Sequence, residues 1–447
     1  MGPYPARMIT RFAPSPTGRL HVGNVRTALL NWLLARQAGG QFLLRLDDTD
    51  VARSTEAFAQ SIRDDLAWLG MVPDAEEKQS ARMARYADVL EQLAAAGHAY
   101  RCYETPEELE IKRRLLLGRG LPPVYDRAAL ALSEADHADY AARGVAPHWR
   151  FRLSADAPKA WDDLIRGPSH IDPASLSDPV IRRADGSWLY MLPSVIDDVD
   201  MGVTHVVRGE DHVTNTGVQL QMFAAMGAEA PKFGHAPLLT GSDGALSKRL
   251  GSIGVSEFRE KGIEALTVKA LLARLGSSLP VEPVTSDAPL IERFDIGNLG
   301  RATARFDEAE LLGLNAKILH ALPFEAVADR LPAGMGAAEW EAIRPNLHTL
   351  AEAATWHAVV TGPVHTDVAD EDRDYLAVAA DTLAALPFDA GVWGALTAAL
   401  KEATGRKGKA LFMPLRQALT GMDHGPDMAA LLPLIGREAA LHRLTVR

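Results

Sequence analysis

The stretch Arg11-Phe12-Ala13-Pro14-Ser15-Pro16-Thr17-Gly18-Arg19-Leu20-His21-Val22-Gly23-Asn24 gathers an imidazole, an amide, hydroxyls and glycines among turn formers. Set between a strand and a helix N-terminus, such a loop offers a triphosphate unpaired backbone N–H groups and the positive end of a helix dipole. Gly18 and Gly23 allow close backbone approach, and His21 and Asn24 can donate hydrogen bonds to phosphate oxygens as charge develops. Far along the chain, Asp243-Gly244-Ala245-Leu246-Ser247-Lys248-Arg249-Leu250-Gly251-Ser252 forms a second, glycine-bounded loop with two adjacent cations. Lys248 there can reach the phosphates of a nucleotide under attack and withdraw afterwards. Either stretch alone is weak evidence, since His-x-Gly is usually an ordinary loop and Ser-Lys-Arg a solvated turn.

The elements that must hold these loops read as α/β. Met8 to Ala13 is β-compatible, and Val25, Leu29, Trp32 and Leu33 then fall at helical spacing. Gly39-Gly40 stops that helix, and Phe42 to Leu46 resumes as a strand. This β-loop-α-β order predicts parallel strands, with the loop at the carboxyl edge where such sheets bind ligands. Helical faces follow at Phe58, Ile62, Leu66 and Leu69 and at Met83, Tyr86, Leu90 and Leu93. A mixed stretch from about Tyr100 to Pro179 reads as an insertion. Strands return at Thr204 to Arg208 and Pro237 to Thr240 and stop from Val255 onward, and 310–447 has the Ala- and Leu-rich spacing of an all-α domain.

Composition narrows the function classes. A chain of 447 residues, 47% of them hydrophobic, supports several domains. No window approaches eighteen apolar residues and no signal core opens the chain, so a cytoplasmic protein is expected. The single cysteine, Cys102, excludes an intrachain disulfide framework and a multi-cysteine zinc site. A net charge of −11 argues against indiscriminate nucleic-acid binding, so any RNA contact must be local. The basic block from Lys401 to Arg416, with Arg406, Lys407 and Lys409 between them, is the place for it.

With the two loops in this order around a split α/β fold, the chain resembles the class I aminoacyl-tRNA synthetases, and most closely the bacterial-type glutamyl-tRNA synthetases. Six ordered blocks carry the resemblance: Arg11 to Gly18, His21 to Asn31, Leu44 to Arg53, Tyr190 to Asp211, Leu246 to Gly251 and Gly408 to Gly421. It implies a split Rossmann-type parallel sheet (1–100 and 180–254), an inserted α+β module for the tRNA acceptor end (101–179), a helical stem-contact region (255–309) and an all-α anticodon-binding domain (310–447). His21 and Lys248 would be catalytic, and Pro14, Thr17, Gly18, His21, Gly23, Asn24, Lys248 and Arg249 would bind ATP with its Mg²⁺. Glutamate, with two carboxylates and an ammonium, needs cations and one anion. Arg11 and Arg208 suit its side-chain carboxylate, Asp47 its ammonium, and Ala13, Ser15 and Tyr190 complete the pocket.

The implied reaction makes glutamyl-adenylate from ATP and glutamate and transfers the glutamyl group to the terminal adenosine of tRNA(Glu), with tRNA(Gln) an open second acceptor. Lys407, Lys409, Phe412 and Arg416 would hold unstacked anticodon bases. The alternative is a catalytically inactive, synthetase-like RNA-binding or regulatory paralogue, against which the intact Arg11, His21, Arg208 and Lys248 count. A shortened relative that glutamylates a tRNA base would lack the helical C-terminal part. Three positions depart from the family's usual form: Asn24 replaces a histidine, Ala245 a lysine, and Asp47 a glutamate. Cys102 stands alone where zinc-bearing relatives place several ligands, so no zinc is expected, and the lack of a long apolar seam suggests a monomer.

Overall fold

The computed structural model describes residues 7–241, 254–365 and 369–445. It divides into two units, one of Met1–Glu257, Lys269–Val281 and Ser286–Asp307 and one of Phe258–Val268, Glu282–Thr285 and Glu308–Arg447.

The first unit begins with β1 (Ile9–Phe12), α1 (Val22–Gln37), β2 (Gln41–Leu46), α2 (Glu56–Trp68), β3 (Ala75–Lys78) and α3 (Met83–Ala95). β1 pairs in parallel with β2, from Ile9 opposite Gln41 to Phe12 opposite Leu44, and β2 pairs in parallel with β3. The two glycines after α1 do different work. Gly39 adopts φ +61°, whereas a Cβ on Gly40 would come 2.2 Å from the Met8 carbonyl oxygen, so only glycine lets the chain pass β1 there.

An inserted module follows, with β4 (Ala99–Cys102), α4 (Pro106–Gly118), α5 (Glu134–Ala142), β5 (His148–Phe151), β6 (Ala160–Asp163), β7 (Gly167–His170) and β8 (Val180–Arg182). β4, β5 and β8 form an antiparallel sheet, and β6 and β7 a hairpin. The chain then returns through α6 (Met191–Asp200), β9 (His205–Gly209), α7 (Val213–Ala225) and β10 (Lys232–Ala236). Phe151, Leu153, Ile171 and Ile181 of the module share one apolar core with Tyr86, Leu192, Val195, Val206 and Phe233, which seats the module on the first unit.

The five-stranded parallel sheet has the order β10-β9-β1-β2-β3. The chain leaves β1 in one direction and comes back on its other side, so the strand order reverses between β1 and β9, the position at which open α/β sheets bind ligands. These two strands meet through one aligned pair, Thr10 and His205. Beyond it the Asn31 side chain stands in for the missing strand. Its Nδ2 donates to the Val207 carbonyl at 2.8 Å, and its Oδ1 accepts from the Val207 N–H at 3.1 Å. Thus α1 is buried on nearly every side, Arg26 and Asn31 included, where the sequence pattern predicts a single apolar stripe.

Two expectations are corrected. The returning strand is Lys232–Ala236 rather than Pro237 to Thr240, because Lys232-Phe-Gly-His-Ala is buried through its last four residues and shows no alternation to betray it. Leu239–Thr240 (β11) instead pairs with Ala304–Arg305 (β12), so strands do not stop at Val255. Between them lie α8 (Val255–Glu260), α9 (Ala265–Arg274) and α10 (Ala288–Glu292). The second unit continues with α11 (Glu308–Ala321), α12 (Ala337–Ile343), α13 (Glu352–Thr361), α14 (Arg373–Ala385), α15 (Val392–Thr404), α16 (Lys409–Thr420), α17 (Met428–Ile435) and α18 (Arg437–Thr445). Its described residues contain no sheet, and among the described residues of the chain no helix is long and apolar enough to cross a membrane.

Candidate active site

A cleft of about 420 Å³ opens at the β1/β9 switch point, and Arg11, Ala13, Pro14, Ser15, His21, Gly23, Asn24, Asp47, Tyr190 and Arg208 all line it. Thr17 is exposed and, like Gly18, lies outside that lining. Lys248 and Arg249 fall outside the described residues.

His21 caps α1. Its Nδ1 accepts from the N–H groups of Gly23 (3.1 Å) and Asn24 (3.4 Å), while Asn24 Oδ1 accepts from the His21 N–H (3.3 Å). The unpaired backbone N–H groups expected here are therefore engaged by the imidazole itself. The arrangement puts the ring proton on Nε2 and leaves Asn24 its Nδ2 donors, so each side chain keeps one donor group after capping. Burial lowers the His21 pKa, which keeps the ring neutral. A Cβ at Gly23 would press within 3.1 Å of that ring.

Below the loop lies a buried charge cluster. Arg11 donates to Asp198 through Nε (3.2 Å) and NH2 (3.3 Å), and Arg45 donates to Asp198 through NH1 (2.7 Å). Arg45 also grips Asp47 with Nε (2.7 Å) and NH2 (3.2 Å). Burial would lower the Arg45 pKa, but Asp47 and Asp198 raise it above its ordinary value. Asp198 is depressed, because Arg11 and Arg45 outweigh its burial, whereas burial wins at Asp47 and raises it. Asp197, next along α6, is held by Arg82 (2.6 Å), Gln79 (2.8 Å) and Tyr86 (2.8 Å).

Arg208 is held differently. Its NH2 donates to Thr216 Oγ1 (2.6 Å) and Gln219 Oε1 (2.7 Å), both neutral, and burial lowers its pKa to about 10. Tyr190 Oη lies 3.2 Å from His212 Nδ1, with burial pushing the phenol up to about 12 and the imidazole down to about 4. Arg26 also lines the cleft. It donates to the carbonyls of Pro237 (2.6 Å) and Leu275 (2.8 Å), and burial lowers it to about 10. Arg208 and Arg26 thus have no carboxylate within ion-pair distance among the described residues. Sequence reasoning missed Arg26, Arg45, Asp198 and His212, although Arg26, Arg45 and Asp198 lie inside blocks that carry the resemblance.

The basic block of the second unit is less free than its composition predicts. Arg406 pairs with Asp372 and lies 4.2 Å over the Tyr375 ring. Arg416 is half-buried and donates to the Pro426 carbonyl (2.9 Å). Lys407, Lys409 and Phe412 are exposed, and Phe412 rests beside Trp393 at 6.3 Å between ring centroids. In the inserted module Cys102 does not stand alone, since its sulfur and ligand atoms of Glu104 and His148 lie within 4.8 Å of one another. Among the described residues these three ligands fall short of the four that a closed structural zinc site takes; Tyr125 donates to one Glu104 oxygen (2.7 Å), while Glu104 Oε2 and His148 Nε2 are buried without a hydrogen-bond partner.

Residues 7–312 match the family model "tRNA synthetases class I (E and Q), catalytic domain", and residues 319–446 match "Anticodon binding domain". The chain is 67% identical to glutamate–tRNA ligase 1 of Rhizorhabdus wittichii, covering 98% of this chain and 99% of the relative. It is 62% identical to glutamate–tRNA ligase 1 of Novosphingobium aromaticivorans with the same coverage. Its fold is similar to the crystal structure of a glutamate tRNA ligase from Elizabethkingia meningosepticum in complex with its amino acid, with TM-score 0.84, 28% identity and 98% of each chain covered. A switch-point cleft behind a His-x-Gly loop, joined to a helical second unit, therefore belongs here to a member of the class I tRNA synthetases of the E and Q type.

Proposed function

We propose that this chain is a glutamate–tRNA ligase, in which a glutamate carboxylate attacks the α-phosphorus of ATP, pyrophosphate leaves, and a ribose hydroxyl of the tRNA terminus then takes the glutamyl group and releases AMP. The observation that carries this reading is the uneven pairing of the cleft's arginines. Arg11 and Arg45 have carboxylate partners, whereas Arg208 is held by neutral groups and keeps its charge for a substrate anion.

Arg208, with Arg11 beside it, receives the glutamate side chain in this reading. Asp47 accepts two bonds from Arg45 and retains lone pairs for the substrate ammonium. Glutamine would leave Arg208 facing a neutral amide in a desolvated site, a cost of about 1–3 kcal/mol, or roughly 5- to 150-fold in specificity. The free donors of His21 and Asn24 meet the phosphates, joined by Lys248 and Arg249 of the second loop. Mg²⁺ bound with the nucleotide would supply neutralisation of phosphate charge. Of the carboxylates lining the cleft among the described residues, Asp211 is the one not gripped by an arginine and is suited to it. Positioning and charge stabilisation suffice, with no covalent enzyme intermediate. Lys407, Lys409 and Phe412 offer cations and an aromatic face to unstacked anticodon bases of tRNA(Glu), with tRNA(Gln) the second acceptor to test.

The direct test is aminoacylation of purified tRNA(Glu) and tRNA(Gln) with ATP and glutamate, followed by pyrophosphate release. Charging of tRNA(Glu) is expected, and charging of tRNA(Gln) defines a relaxed enzyme. Zero turnover with tRNA binding intact would make the chain an inactive paralogue.

A further inference from the structure

Arg208 is reached from the inserted module through a buried chain of hydrogen bonds. Asp163, the last residue of β6, pairs with His235 Nδ1 and also accepts from the N–H groups of Ile165 (3.0 Å), Arg166 (2.9 Å) and His235 (3.1 Å). His235 of β10 is fully buried, stacked on Phe233 with Trp161 at its edge. On the other side of the ring, Nε2 lies 2.8 Å from Thr216 Oγ1 and 3.5 Å from Arg208 Nε.

The shortest contacts give the protons on this chain one arrangement, in which Thr216 spends its hydroxyl proton on His235 Nε2 rather than on the His212 carbonyl at 3.4 Å. Acidic Asp163 fixes the imidazole proton on Nδ1, so Nε2 is an acceptor. Thr216 then donates its hydroxyl proton to Nε2 and turns its lone pairs to Arg208 NH2. Arg208 therefore meets two close neutral acceptors, Thr216 and Gln219, with His235 Nε2 at 3.5 Å beside them, and no carboxylate among the described residues. A burial-lowered His235 and a depressed Asp163, which the His235 and backbone hydrogen bonds hold down against its burial, agree with a neutral ring on an ionised acid.

We propose that Asp163, His235 and Thr216 are positioning residues that hold the Arg208 guanidinium in place without neutralising it, and so set the preference for glutamate over glutamine. This rests on Arg208 being the side-chain carboxylate's partner. It gives the inserted module a part in amino-acid selection, through β6, beyond the acceptor-end role its resemblance implies.

The test uses the full-length chain and steady-state kinetics with glutamate, glutamine and ATP. Thr216→Val, nearly isosteric, is expected to raise KM for glutamate roughly tenfold and to lower glutamate/glutamine selectivity by a similar factor, with KM for ATP within about twofold. His235→Asn keeps a donor for Asp163 but no acceptor for Thr216 and should behave like Thr216→Val, whereas His235→Gln restores an acceptor at the Nε2 position, loses the donor to Asp163, and should recover the selectivity in part. A merely structural histidine would instead give both variants the same lowered melting temperature and unaltered selectivity. The proposal is overturned if Thr216→Val leaves KM for glutamate and selectivity unchanged while Arg208→Gln raises that KM, which would spare the reading of Arg208. An Arg208→Gln variant with normal glutamate kinetics would overturn both.

Discussion

Asp198→Asn is the perturbation whose consequence the structure specifies most fully. The side chain is 3% exposed and accepts from two guanidiniums, Arg11 and Arg45, themselves 6% and 0% exposed. The amide keeps the shape but offers one acceptor and no charge, leaving buried cations short of their counterion. Breaking a buried pair in this way costs about 3–5 kcal/mol. At roughly 2–4 °C per kcal/mol, the melting midpoint at pH 7 should fall by about 6–20 °C. The pH dependence has a definite sign. The folded-state pKa of Asp198 is depressed, so its stabilisation is complete above the unfolded value of about 3.9 and is lost as pH falls through the folded value. The gap between wild type and variant should be constant from pH 5 to 8 and narrow only below about pH 4, where calorimetry or circular dichroism can follow it. A midpoint within 1 °C of wild type at pH 7 would refute the view that Asp198 holds the two arginines. A gap that narrows between pH 5 and 8 would instead refute the sign of its pKa shift.

Other substitutions separate chemistry from scaffolding. Arg208→Gln should reduce kcat/KM for glutamate by about 30-fold or more, corresponding to loss of a desolvated charge pair, while KM for ATP stays within about twofold. His21→Ala should lower the rate of pyrophosphate exchange by about 10²-fold if Nε2 meets a phosphate, and should cost about 1 kcal/mol of stability through the lost cap. An exchange rate within threefold of wild type would leave His21 only its capping role. Phe412→Ala should leave stability within about 0.5 kcal/mol yet raise KM for tRNA, since the ring is 44% exposed. Arg416→Ala should lower the melting temperature by removing the bond to Pro426, and unchanged charging of both tRNAs would take it out of the anticodon contact.

What the sequence disclosed and what it hid follow the range of the interactions involved. The β1 to α1 loop is legible because its chemistry is local: turn formers, a His-x-Gly and an apolar helix register lie within one stretch. Arg45 is illegible for the opposite reason. In Gln-Phe-Leu-Leu-Arg-Leu it reads as the solvent face of a strand, and its complete burial is explained only when Asp198 and Ser194, far along the chain, join neighbouring Asp47 as its partners. The same separation hides Asp163 and His235. Asn31 looks like a polar interruption of α1 until Val207 is seen to use it as a surrogate strand. Arg406 and Cys102 err in opposite directions, one seeming free and held by Asp372, the other seeming alone and close to Glu104 and His148.

Charge matching also explains why the pocket contains more ions than one amino acid needs. A lone arginine at a switch point would be costly to desolvate and free to swing. Asp47 and Asp198 fix Arg45 and Arg11 by ion pairing, and that rigidity comes with neutralisation. Arg208 achieves fixity by another route, with Thr216, Gln219 and His235 binding its edges while leaving its charge whole. Replacing Gln219 by glutamate should therefore hold Arg208 equally well yet weaken glutamate binding, because the guanidinium would acquire an internal counterion. Gln219→Glu with undiminished kcat/KM for glutamate would mean that fixity, and not retained charge, is what Arg208 contributes.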